Sequence, residues 1–282
     1  MQHTTMWFLR VSPRSPDAVN MSVPCVVHIK NSGMVRRHMN SSLNKHDDAN
    51  TGPAAGGSRL PVVLGLVVSG MSLAGLISIW LQFNLHSPSK VLVFLVTQIN
   101  LDAEKNLATW VAVLLLAGNA VLLSLCAVTA RDRGESHVRA WWGLSIIFFV
   151  MSLDELVSLH EAVGRLVHIA IGMPGLPSFG WLVPASVIVP LLLWLFAGFL
   201  RNLHPTTRRR FLFAGFVYVL GAFGFELVGA VYLGDGSTWD PVYKLISWVE
   251  ETLELAGQAL FMIALAAHLD VRQRLSGTGG VT

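Results

Sequence analysis

Eight residues in this chain carry side chains able to do chemistry where little else is polar. Asp154, Glu155, His160 and Glu161 lie at the end of one hydrophobic run, Glu226 stands inside a second, and Glu250, Glu251 and Glu254 sit in a third. Carboxylates and imidazole bind divalent metals, and the same groups take up and release protons. Ionisable groups inside apolar runs are costly, so they mark ion pathways, proton relays or bound cations rather than scaffold.

The background that makes them conspicuous is extreme. Of 282 residues 53% are hydrophobic and 13% charged, and the mean hydropathy is +0.57. A soluble domain carries about 25% charge. Several uncharged runs of bilayer length predict an all-α, polytopic membrane protein. The net charge of +3 is therefore read as topology, not as a nucleic-acid surface. Cys25 and Cys126, the two cysteines, are too far apart in sequence to suggest a disulfide framework or a cysteine metal site.

Six spans are predicted, at about 60–83, 107–130, 140–160, 181–200, 211–233 and 245–267. Residues 1–59 are rich in Ser, Asn, Pro, Gly and basic residues and are expected to be a disordered cytoplasmic tail, within which Met21, Met34 and Met39 each offer an alternative start. Val91–Ile99 is half a bilayer long and reads as a re-entrant or interfacial segment. Gly172, Pro174, Gly175 and Pro177 are expected to stop the third helix, Gly234–Ser237 to turn the chain, and residues 271–282 to form a short cytoplasmic tail. Trp110, Trp141, Trp142, Trp181 and Trp239 read as interface anchors.

Lys and Arg set the orientation. Ten (Arg59, Arg131, Arg133, Arg139, Arg201, Arg208, Arg209, Arg210, Arg272 and Arg274) fall on one side, and four (Lys90, Lys105, Arg165 and Lys244) on the other. That bias places both termini in the cytoplasm of a bacterial-type inner membrane. At about 1.5 Å per residue, Asp154 and Glu226 lie some 21–22 Å from the inner ends of their spans. Glu250 and Glu254 lie about 8 and 14 Å inward from the outer end of the last. Three helices thus bring their acids to one depth in the outer half.

Treated as one helix, the third span places Asp154, Ser158, Glu161, Arg165 and His168 on a common face, with Glu155 about 100° round and His160 turned away. Glu250, Glu251, Glu254 and Gln258 share an arc of the sixth. Around Glu226, the small residues Ala222, Gly229 and Ala230 would let a neighbouring backbone approach. Six carboxyls inside the spans face no Lys or Arg there, so they must share protons, bind cations, or be reached by water and the rim cations Arg165 and Lys244.

The leading expectation is a divalent metal site (iron, manganese or zinc) built from Asp154, Glu226, Glu250 and Glu254, supplemented by Glu155, His160, Glu161 and Glu251. It would serve a metal-dependent membrane oxidoreductase or hydrolase. The departure from known carboxylate bundles is the absence of Glu-x-x-His spacing, and His86 or His168 would have to fold over to add nitrogen ligands. The alternative is a cation- or proton-coupled transporter using the same carboxylates, against which stands the lack of acids towards the cytoplasmic face. Some of these groups have plainer readings. Glu161 can pair with Arg165, Glu251 with Lys244, and Asp102 and Glu104 can belong to a solvated helix cap. Lipid is the one partner implied; substrate and oligomeric state are not specified.

Ser152-Leu153-Asp154-Glu155 followed by His160-Glu161, with Leu101-Asp102-Ala103-Glu104-Lys105-Asn106 and Trp110 upstream, resembles segments of bacterial multi-pass membrane proteins across the six spans. The resemblance brings no functional residue with it. Walker A, His-Glu-x-x-His and Gly-x-Ser-x-Gly patterns are absent from the sequence.

Overall fold

The structure, a computed structural model, describes residues 59–86, 88–171, 177–234 and 240–277. The expected disordered tail (all but Arg59), the stop at Gly172, Pro174 and Gly175, the turn residues 235–237 and Trp239 lie outside the described residues.

Every regular element among the described residues is helical: α1 (Leu60–Asn84), α2 (Lys90–Gln98), α3 (Leu107–Asp132), α4 (Val138–Val157), α5 (Leu159–Ile171), a 3-10 turn (Pro177–Trp181), α6 (Leu182–Asn202), α7 (Pro205–Val219), a π segment (Leu220–Phe225), α8 (Glu226–Gly234) and α9 (Pro241–Gly277). Six stretches are long and apolar enough to cross a membrane: Leu60–Asn84, Leu107–Asp132, Val138–Val157, Phe179–Asn202, Pro205–Gly234 and Pro241–Val271. Helix is what such sequences require, because it satisfies each backbone N–H and C=O within its own segment.

Two boundaries differ from expectation for a physical reason. The fifth span begins at Pro205, not Phe211. Proline suits the first helical position, and the His204 side chain accepts a hydrogen bond from Thr206 N–H. Arg208, Arg209 and Arg210 are therefore on the helix rather than in a loop. The sixth span begins at Pro241, where Asp240 Oδ1 accepts from the N–H groups of Val242 and Tyr243, each at 3.0 Å. Together with the Tyr232 hydroxyl, 2.8 Å from Oδ2, these bonds hold the Asp240 carboxyl below its usual range. Lys244 consequently lies inside the last span, on its first turn.

α9 is the hub, packing against α1, α3, α7, the π segment and α8. Its fit to the fifth span rests on glycine. A Cβ on Gly257 would stand 2.7 Å from the Tyr218 backbone nitrogen, and one on Gly221 would stand 2.7 Å from the Glu250 carbonyl oxygen. At the opposite end of the bundle from the acids, Trp141 is 1% exposed. It meets Phe199 edge-on at 4.8 Å and stacks on His268 at 5.2 Å. This corrects its reading as an interface anchor: the ring is core. Trp110 and Trp142 are exposed.

α2 is too short to span. Ser78 of α1 donates to the Val96 carbonyl at 3.2 Å, which fixes it against α1, while Val91, Val93, Phe94 and Leu95 stay exposed. The chain then turns through Lys105 at φ 58. Asn106 caps α3 by accepting from Thr109 N–H at 3.0 Å and donates to the Thr97 and Asn100 carbonyls.

Candidate functional site

The third acid-bearing helix is not continuous. α4 ends at Val157, Ser158 adopts a left-handed conformation (φ 56, ψ 48), and α5 starts at Leu159. A serine there is uncommon, and such local strain gathers at functional positions. The break turns His160 back onto the preceding turn. Its backbone N–H donates to Asp154 Oδ1 at 2.7 Å, and its ring Nδ1 lies 3.1 Å from Oδ2. The expectation that His160 points away from Asp154 is thus overturned, because a helical phase carried across Ser158 loses its meaning.

Burial works against a charged His160, but the hydrogen bond and charge of Asp154, with Glu155 and Glu226 beyond, outweigh it and raise the imidazole to about 9. A raised folded-state value stabilises the fold fully below pH 6.5, the ordinary value, and that contribution is lost as pH rises through about 9. Thermal melts in detergent should show this alkaline loss, and Asp154→Asn should flatten it; an unchanged profile in the variant would place its origin elsewhere.

Trp181, at the end of the 3-10 turn, joins this pair to the fifth span. Its indole N–H donates to Glu226 Oε1 at 3.2 Å, and its ring meets His160 edge-on at 5.8 Å. Glu226 is the first residue of α8, directly after the π segment. π turns are rare and concentrate at functional sites. This one sets Gly221 against the α9 backbone at Glu250. Gly221 lies against Glu250 and Glu254 of α9 and Gly229 against Tyr243 and Ile246, so Glu226, between the two glycines, borders the stretch of α9 that carries Glu250. Glu155 has His160, Asp154 and Glu104 as charged neighbours, and Glu251 has Glu254, Glu155 and Asp102. All of these acids except the exposed Glu104 are half-buried.

Other expected residues go elsewhere. Glu161 pairs with Arg165 at 3.1 Å on the exposed side of α5. Lys244 pairs with Asp102, not with Glu251, and both side chains are largely buried (15% and 18% exposed). Asp102 is therefore an ion-pair partner rather than a solvated cap residue; Asn106 caps α3. Lys244→Met should cost about 3 kcal/mol or more by leaving Asp102 without its cation, and adding Asp102→Asn should recover most of it. Equal melts for the single and double variants would refute that coupling. His86 is exposed, and His168 is half-buried near the end of α5. Among the described residues, no three His, Cys, Asp or Glu side chains converge as a metal ion requires.

Trp181 and the Asp102–Lys244 pair are the members that sequence reasoning missed. A tryptophan at a span end looks like an anchor whatever it touches, and only the fold reveals a carboxylate opposite.

Fold and site together define a helical bundle with six helices of membrane-crossing length and acidic side chains on three of its segments. Its core, residues 60–269, matches the family described as a domain of unknown function, DUF8692, and the chain belongs to that family. No curated protein and no solved structure matches the chain.

Proposed function

We propose that this protein moves protons, or cations in exchange for protons, through an acidic pocket facing the outer side of a bacterial inner membrane, with both termini cytoplasmic. The observation that carries the reading is the seat of Glu226, which accepts from the Trp181 indole N–H directly after a π turn packed on α9 at Glu250 and Glu254. In this reading Glu226 and Glu250 exchange a proton, which is released when a cation arrives and taken back when it leaves. Two further features support it. The helices bearing Asp154 and Glu226 are both interrupted beside those residues, as the discontinuous helices of transporters are at their binding sites. Asp154–His160 and Trp181 continue the hydrogen-bonding groups from the pair towards α5. In this reading α2 lies at the membrane interface with its exposed apolar face in lipid.

A metal-dependent oxidoreductase or hydrolase asks more of the site, since its acids would have to move together to form a ligand set. Purified protein in liposomes, with sodium and potassium on both sides and a trapped pH dye, should dissipate an imposed pH gradient faster than empty liposomes. Elemental analysis of the same sample should find no stoichiometric metal. Stoichiometric iron, manganese or zinc that disappears in a Glu226→Gln, Glu254→Gln double variant, without proton flux, would select the enzyme instead.

A further inference from the structure

The α3–α9 interface holds polar groups that the acidic pocket does not use. Gln258 is 2% exposed and Asn119 is 0% exposed. Neither the Oε1 nor the Nε2 of Gln258 has a hydrogen-bond partner among the described residues, and neither has the Oδ1 of Asn119. The Asn119 amide donates to the backbone carbonyl of Gln258 at 3.0 Å, so the two side chains leave α3 and α9 at one level. An amide buried without partners costs about 1–3 kcal/mol or more, and native interiors resolve such groups with bound water.

Helical spacing says where that water comes from. Gln258 follows Glu254 by four residues and Glu251 by seven, so all three project from one face of α9, within an arc of about 60°. The acids lie one to two turns nearer the Lys244 end. Towards the other end the interface closes: Leu123 and Leu265 are both 0% exposed and pack with Phe261, Ala127 and Trp141 in one apolar cluster. Polar groups therefore run inward from Glu251 and Glu254 to Gln258 and Asn119, and stop at a dry layer.

We infer that the acidic pocket continues inward as a hydrated chamber whose ligand is water, held by Gln258 and Asn119 and sealed from the opposite end by Leu123 and Leu265. The chamber extends the reach of water by one turn past Glu254 and leaves the leucine layer as the barrier to be crossed in any transfer through the bundle. This inference rests on the placement of the acids and not on what they carry.

The test is thiol accessibility in the full chain, in a Cys25→Ser, Cys126→Ala background reconstituted in liposomes. Single cysteines are introduced as Gln258→Cys, Asn119→Cys and Leu265→Cys and treated with aminoethyl methanethiosulfonate, a small water-borne cation. Gln258→Cys and Asn119→Cys should react at least about tenfold faster than Leu265→Cys, because reaction follows access of water and ionisation of the thiol. Rates at 258 and 119 no faster than at 265, with all thiols reactive after denaturation, would overturn the chamber. Should the cysteine variants fail to assemble, Gln258→Leu decides. A water-filled chamber predicts a lower Tm, since leucine strands the water, whereas an unchanged or higher Tm shows a dry amide whose removal costs nothing. Neither readout needs proton flux, so the chamber can stand if the transport reading falls, and the reverse.

Discussion

Gly257→Ala should be strongly destabilising. The added carbon would lie 2.7 Å from the Tyr218 backbone nitrogen and 2.8 Å from its Cα. Backbone cannot rotate aside, so α9 and α7 would have to separate. Overpacking of this kind costs about 1–3 kcal/mol where neighbours can adjust, and here they cannot. A fall in Tm of about 6–12 °C follows from about 3 kcal/mol in a chain of this size. Gly118→Ala is the matched control: its new methyl meets only the terminal Cε of Met262, also at 2.7 Å, and a methionine end swings away at little cost. Thermal melts of the two variants in one detergent separate the cases. Equal losses would mean that the α7–α9 seam is looser than its geometry.

Glu226→Gln should lower proton exchange by about 10²–10⁴-fold, the range associated with a positioned proton-transfer group, and leave the fold intact. Glutamine keeps an oxygen to accept from the Trp181 indole, which is 3.2 Å from the carboxylate it replaces. What it cannot do is hold a transferable proton. Glu250→Gln should act alike, because in the proposed mechanism the two carboxyls exchange one proton. Glu161→Gln should change little, because Glu161 is engaged with Arg165 on the exposed face of α5. Dye-reported flux in liposomes, normalised to reconstituted protein, distinguishes these outcomes. Full flux in Glu226→Gln would remove the pair from the mechanism.

Sequence alone was enough for the six membrane-length helices, because each apolar run must satisfy its backbone internally and helix is the local solution. It also placed the acids of three spans near one end, since depth along a helix is a matter of counting residues. Counting failed where the helix itself changes. Ser158 leaves the right-handed conformation and the Leu220–Phe225 segment widens into a π turn, and nothing in either stretch announces this, because the neighbours that sustain both distortions come from elsewhere in the chain. The facing of His160 on Asp154, the meeting of Glu226 with Trp181, and the choice of Asp102 over Glu251 by Lys244 were all decided by tertiary packing. Contacts between helices depend on how far those helices approach, which between the fifth span and α9 is set by Gly221 and Gly257 with no space for a Cβ. Depth is a local property of one helix; partnership is a property of two.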